Sequence, residues 1–312
     1  MFEIAEDESE WRAVIKVIGI GMKGAKAVGK MTRCVPDVEF FVAPDLTTID
    51  SLRTHGEIHT LGSIAGKRVV GSDSACGMVI GDSFANFLQG TDLVFIVTGM
   101  ESTEVSGVSA NLARTARETG AFTIIIAADS SEQDTFVSHL SSQADSLLCL
   151  SINSLMPLED DIPQILSEPA LVDHLVRHAV GRIVQCVTER SFICLDFSDV
   201  KIILRDGDMT YMGIGIAYGS SKGMHAASRA VHGLSMQDLD IRKSTGLLVV
   251  VEGSTNMTMD EFEEATRIFS DMLPEATDIV FGCYFDDALG GNVKVTVFAS
   301  FSHGWMVANA SF

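Results

Sequence analysis

The chain has 312 residues, 46% of them hydrophobic, with 42 acidic against 22 basic side chains and a formal charge of −20. That length and apolar content give one large or two ordinary globular domains. The acidic excess argues against a protein made for nucleic-acid phosphates or anionic lipid; a local basic groove stays open, though no Lys/Arg run suggests one, and no window reaches the apolar length of a membrane helix.

The first ten residues, MFEIAEDESE, are an acidic arm without the apolar core of a secretory signal, which predicts a cytoplasmic protein. Residues 13–21, AVIKVIGIG, predict a buried strand entering a glycine loop, and AKAVGKMTR a helix after it. Residues 38–43 form a second strand; residues 44–91 are mixed, with one helix over 84–88. Residues 92–99, 121–128 and 145–153 are three more apolar strands, the first two separated by the helix VSANLARTARETG with its glycine stop. Apolar strands alternating with helices give a doubly wound α/β domain with a parallel sheet. A long helix follows over about residues 168–189. Beyond it TYMGIGIAYG, TGLLVVVEG, TDIVFGCYFDD and VKVTVFASF read as four strands, with helices near 220–232 and over MTMDEFEEATRIFSDML. This is a smaller α+β domain, and the expected division is 11–190 and 191–312, with the long helix as the joint. The cysteines Cys34, Cys76, Cys149, Cys186, Cys194 and Cys283 form no C-x-x-C pair and read as buried thiols of a reducing compartment.

Gly19-Ile20-Gly21-Met22-Lys23-Gly24 follows a strand and opens a helix, a context in which backbone N–H groups and a helix N-terminus receive phosphate. With Glu39 or Asp45 as the acid near the end of the second strand, a nicotinamide-dependent oxidoreductase binding NAD is one reading. A tight strand-to-helix turn that needs glycine only for packing is another.

Further segments separate these readings. IKVIGIGMKGAKAVGKM resembles the opening of FtsZ, and DLVFIVTGM resembles the FtsZ strand that leads into its G-G-G-T-G-T-G loop. FICLDFSDVK resembles the catalytic loop N-x-D-F-A-D, and the segments MGIGIAYG, GLLVVVEGSTNMTMDEFEEA and IVFGCYFDDALGGNVKVTVFASF follow the FtsZ second domain in order and spacing. The chain thus resembles a divergent member of the FtsZ/tubulin superfamily from about Ile15 to Phe301. The resemblance implies a Rossmann-like GTPase domain, a connecting helix and an α+β C-terminal domain. It also implies GTP or GDP as ligand, with Mg only where nucleotide binds. Subunits of the family stack head to tail into filaments, the catalytic loop of one reaching the nucleotide of the next. Head-to-tail self-association, and co-assembly with another FtsZ-type protein, are the implied partners.

The departures from the family pattern fall on the phosphate loops. After Gly99 and Met100 the chain reads Glu101-Ser102-Thr103-Glu104-Val105-Ser106-Gly107, and only Gly107 keeps a family glycine. Side chains there hinder the close approach of backbone N–H groups to phosphate. At about 5 Å and an effective dielectric near 20, each carboxylate–phosphate charge pair costs on the order of 3 kcal/mol. Two such pairs offset much of a micromolar affinity, itself about 8 kcal/mol. In the first loop, Lys23 and Lys26 stand where the family has glycine and asparagine. The lysines either take over phosphate contact, or pair with Glu101 or Glu104 and fill the site, or are solvated with them; the complementary signs favour pairing. The family's Asn-Asp pair that reads guanine aligns with Asp173 and His174, which leaves guanine preference unsupported. Asp196 and Asp199 keep the two catalytic aspartate positions, with Cys194 replacing the Asn. The same Asp-x-x-Asp spacing also fits a helix N-cap and its third-position partner.

His174 and His178, four apart on a helix, and His55 and His59 are weaker candidates for metal, since no carboxylate completes a known motif. The chain ends at Phe312 without the linker and tail through which FtsZ meets its membrane-anchoring partners, so direct use of those partners and direct membrane insertion are not expected. The leading expectation is an assembly protein with weak or absent GTP hydrolysis. The alternative is an active, polymerising GTPase.

Overall fold

The uniformly apolar strings of the sequence become central strands of a sheet covered on both faces. The structure, a computed structural model, describes residues 13–31, 35, 38–43, 58–60, 82–99, 102–128, 134–152, 154–155, 168–189, 193, 195–205 and 209–302. The first half contains β1 (Ile15–Ile20), α1 (Gly21–Gly29), β2 (Val38–Ala43), β3 (Ile58–Thr60), α2 (Asp82–Leu88), β4 (Leu93–Thr98), α3 (Thr103–Glu118), β5 (Phe122–Ala128), α4 (Asp134–Ser141) and β6 (Ser146–Leu150). Helix α5 (Glu168–Thr188) and helix α6 (Phe197–Arg205) follow. The second half is β7 (Met209–Ala217), α7 (Lys222–Ser235), β8 (Gly246–Gly253), α8 (Met259–Met272), β9 (Asp278–Phe285) and β10 (Val293–Phe301).

All the strands among the described residues belong to one ten-stranded sheet, in the order β3-β2-β1-β4-β5-β6-β7-β10-β8-β9. Strands β1 to β6 pair in parallel, β10 runs antiparallel to β7 and β8, and β9 is parallel to β8. Every residue of β1, β4, β5, β6 and β8 is buried, as strands covered by helices on both faces require. One apolar layer joins α1, α5 and α6 to one face, and a second joins α2, α3 and α4 to the other. A third lies between the C-terminal strands and helices α7 and α8. The sheet is continuous across the expected domain boundary: β6 and β7 pair through Leu147–Met209, Leu148–Thr210 and Cys149–Tyr211.

Two elements differ from the sequence reading. Strand β3 has three residues and no alternation to betray it, and α4, DTFVSHLS, mixes β-branched residues and serines of low helix propensity. Cys149, Cys186 and Cys283 are buried free thiols. Burial pushes the first two up to about 12 and the third to about 11. Cys34, Cys76 and Cys194 lie outside the described residues.

Helix α5, with 21 residues, spans roughly 30 Å and carries the ionic links between the two halves. Arg182 pairs with Glu252 on β8, and Lys294 on β10 lies 3.0 Å from the other carboxylate oxygen. Glu252 is fully buried. The Lys294 contact is a charge pairing without an aligned hydrogen bond, and the buried Arg182 Nε has no acceptor among the described residues. One turn back, the His178 ring Nε2 lies 2.8 Å from Thr296 Oγ1 on β10. Burial, then Lys294 and Arg182, hold His178 well below the ordinary histidine range.

Candidate functional site

Strands β1 and β4 are hydrogen-bonded neighbours whose following helices α1 and α3 leave the same edge of the sheet. Their register pairs Gly19 with Val97 and Ile20 with Thr98. The chain order reverses at this point, β2 and β3 lying to one side and β5 and β6 to the other. Open parallel sheets bind ligands in the crevice at such a switch point. The fold therefore brings the two loops singled out in the sequence together.

The glycines of the first loop serve packing. A Cβ on Gly19 would stand 2.6 Å from the Gly24 carbonyl oxygen, and one on Gly24 would stand 2.2 Å from that of Val97. Helix α1 thus sits directly on β1 and β4, closer than any side chain permits. Gly21 has φ of +72°, the left-handed turn from strand into helix that glycine adopts without strain. Met22 is half-buried, while Lys23, Lys26 and Lys30 form an exposed stripe at helical spacing.

In the second loop Gly99 is buried. Ser102 is the N-cap of α3, and its side chain accepts a hydrogen bond of 3.3 Å from the Val105 N–H. Thr103 is exposed and Gly107 half-buried. Thr98 and Ser106 are buried, and neither hydroxyl has a hydrogen-bond partner among the described residues. Met100, Glu101 and the side chain of Glu104 lie outside the described residues, and with them the expected pairing of Glu101 or Glu104 with Lys23 or Lys26.

Asp173 and His174 are split between two surroundings. Asp173 Oδ2 receives the Lys30 ammonium at 2.5 Å, which ties α5 to the end of α1. His174 Nδ1 lies 2.7 Å from Arg177 Nη2, and its pKa is lowered by burial, by Arg177 and by Lys294 of β10. His174 and His178 engage different partners, and no group of three or more His, Cys, Asp or Glu side chains is placed to hold a metal among the described residues. His55 and the side chain of His59 lie outside them.

Asp196 and Asp199 sit at the start of α6. Asp196 Oδ1 accepts from the Asp199 N–H at 2.8 Å, and Asp199 Oδ2 accepts from the Asp196 N–H at 3.1 Å. This reciprocal pair satisfies N–H groups that the helix cannot, as in a capping box. Phe197 meets Phe122, the first residue of β5, edge to face at 6.2 Å. The two aspartates therefore lie at the amino-terminal edge of the parallel strands. The two loops lie at the opposite edge.

Glu39 does not serve the dinucleotide reading. It is the second residue of β2, far from that strand's carboxyl end, and faces Lys16 across β1 with 3.6 Å between Nζ and Oε2. Lys16, only 7% exposed, also donates to the Phe87 carbonyl at 2.6 Å and lies over the Phe87 ring. Asp45 lies outside the described residues.

A model of the FtsZ family C-terminal domain matches residues 208–301. The chain is 28% identical over 311 residues to cell division protein FtsZ 1 of Rhizobium meliloti (strain 1021), covering 94% of this chain and 52% of that protein. Its structure aligns with an empty FtsZ dimer from M. jannaschii at a TM-score of 0.76 and 21% identity, over 95% of this chain and 90% of that one. Residues 208–301 are an FtsZ-family C-terminal domain, and the chain has the FtsZ/tubulin fold. CetZ2 from Haloferax volcanii, solved as a GTPγS-bound protofilament, shares the superfamily fold at a TM-score of 0.67 and 16% identity, over 94% of this chain and 96% of that one. The chain spans about half the length of the curated FtsZ relative. Among the described residues no helix is long and apolar enough to cross a membrane.

Sequence reasoning did not find Lys16, Lys30, Arg182, Glu252 or Lys294. For Lys16 and Glu252 a signal was present: each is a lone charge inside an otherwise apolar strand, a position that demands a partner.

Proposed function

We propose that this chain is a cytoskeletal assembly protein of the FtsZ/tubulin superfamily that acts in the cytoplasm and self-associates head to tail, with weak or absent GTP hydrolysis. The observation that carries this reading is the Ser102 cap. A helix N-terminus binds phosphate through N–H groups that lack partners, and at α3 the Val105 N–H is taken by the chain's own side chain. Three further features support it. Gly24 meets the Val97 backbone and is spent on packing; Glu101 and Glu104 add negative charge to the loop; and Asp196 and Asp199 bond one another's N–H groups. The hydroxyls of Thr98 and Ser106, without hydrogen-bond partners among the described residues, favour a polar occupant of the crevice, but the donors described there fit a triphosphate poorly, and no hydrolytic step follows from them.

Self-association is supported by the relatives, one solved as a dimer and one as a protofilament. Participation in cell division follows the name of the Rhizobium relative, and co-assembly with another FtsZ-type protein is part of the same reading, carried over from the resemblance alone. Residues 11–190 and 191–312 act in this reading as the nucleotide-domain and C-terminal units of each subunit. The alternative, an active GTPase, is favoured by the exposed lysine stripe of α1 next to the crevice.

The test is nucleotide analysis of the purified protein, calorimetric titration with GTP and Mg, and light scattering with and without nucleotide. The proposal expects no co-purifying nucleotide, no saturable GTP binding in the micromolar range, and scattering that rises with protein concentration whether or not GTP is present. Micromolar GTP binding, with turnover abolished by Asp196→Ala, would establish the alternative. A protein that stays monomeric at high concentration would overturn assembly.

A further inference from the structure

A pocket of about 400 Å³ opens at the amino-terminal edge of the parallel strands. It lies between the end of α3, the start of β5 and helix α6. Among the described residues Arg114, Arg117, Lys201 and Arg205 line it, against the two carboxylates Glu118 and Asp145. This is an excess of positive charge on a chain whose formal charge is −20. Asp145 is largely committed: Oδ2 accepts from the Thr123 N–H at 2.9 Å, while Oδ1 lies 3.3 Å from Arg117 Nε and 3.9 Å from Arg205 Nε. Among the described residues Arg114 has the weak, exposed Glu118 contact at 3.6 Å and donates to the Asn111 side-chain Oδ1 at 3.4 Å. Lys201 rests over the Phe197 ring at 3.9 Å and meets no carboxylate among the described residues.

We propose that this pocket is the docking site for the chain's own acidic amino-terminal segment, residues 1–10. That segment carries Glu3, Glu6, Asp7, Glu8 and Glu10 and no basic side chain. The chain enters β1 at the same edge of the sheet, where the Val14 N–H donates to Asp92 Oδ2 at 2.8 Å, just before β4 begins. In the sheet order β1, β4, β5, the entry point and the pocket are two strands apart, or about 10 Å. The twelve residues before Ala13 can span up to about 40 Å, so the carboxylates reach the pocket with chain to spare. Tethering at this distance gives an effective concentration that a free anion lacks. The docked segment shares its edge with Asp196 and Asp199. The inference is independent of whether nucleotide binds.

Zero-length carbodiimide coupling of the full chain, read by peptide mass spectrometry on a mixture of light and heavy isotope-labelled protein, tests it. The expected product joins a carboxylate of the segment to Lys201 within one chain. Its yield falls at least about fivefold in roughly 1 M NaCl, where the screening length drops to about 3 Å. It falls likewise in Arg114→Gln/Arg205→Gln, which keeps Lys201 available, while circular dichroism confirms the fold. The proposal is overturned if Lys201 couples only to other carboxylates, if the product joins light to heavy chains alone, or if neither salt nor the variant lowers the yield. None of these results bears on the scattering that tests assembly.

Discussion

Replacing Glu252 by glutamine removes one charge from the ionic group that ties α5 to the C-terminal strands and leaves its shape unchanged. The carboxylate is fully buried, and its partners Arg182 and Lys294 have side chains only 22% and 14% exposed. At the 3.0 Å separation of Lys294 from Glu252, an effective dielectric of 20 gives a gross attraction of about 5.5 kcal/mol. Desolvation of several kcal/mol per ion offsets most of it, so the intact group contributes little net stability. Removing one partner differs, because two cations stay buried without their anion, and such losses run to about 3–5 kcal/mol. We therefore expect Glu252→Gln to lower the unfolding free energy by about that amount. The triple variant Arg182→Met/Glu252→Leu/Lys294→Met should recover most of the loss. Urea unfolding followed by circular dichroism measures both, with the slope checked for constancy between variants. A Glu252→Gln loss below about 1 kcal/mol would place the charges in solvent, and a triple variant no better than the single one would show that shape, not charge, holds the group.

Gly24→Ala forces a Cβ to within 2.2 Å of the Val97 carbonyl and should cost about 1–3 kcal/mol or more, whereas Gly181→Ala, which meets Val35 Cγ2 alone, at 3.8 Å, among the described residues, should gain about 0.5–1 kcal/mol inside a helix; Tm shifts of opposite sign check the pair. Asp196→Ala, which removes the acceptor for the Asp199 N–H, should cost about 1 kcal/mol of stability, while Asp196→Asn, which keeps an acceptor, should cost less. His178 is held neutral in the folded protein, and the unfolded chain takes up a proton near pH 6.5. Its contribution is thus fully present above that pH and declines below it by up to about 1.4 kcal/mol per pH unit. Urea titrations between pH 7 and pH 5 should show that slope reduced in His178→Gln.

The fold was legible because its signals are redundant. A run such as LVFIVT has no polar position to expose, so it belongs between two layers, and Thr258 with Glu261 announces α8 by a capping box that the structure contains. Asp196 and Asp199 could be read as a cap from spacing alone, since an Asp three residues after another reaches back to its N–H. The crevice was half legible. Gly19 and Gly24 were visible, but whether a glycine makes room for a ligand or for the next strand depends on β4, seventy residues away. The separation of Asp173 from His174 was hidden for the same reason: adjacent residues on a helix point about 100° apart, and only the packing of α1 and β10 says what each one meets. Among the described residues the continuity of the sheet rests on three residue pairs whose register no local pattern encodes.

That short seam has a mechanical consequence. Among the described residues β6 and β7 share three residue pairs, whereas β7 and β10 share nine and β8 and β9 eight. A twisting load between the two halves would concentrate at this line, because least backbone pairing must yield there. Helix α5 bridges it through Arg182 and His178. A load across the two halves would therefore bend the chain at β6–β7 before either half lost its own strands, with the α5 contacts to β8 and β10 the side-chain links that resist it.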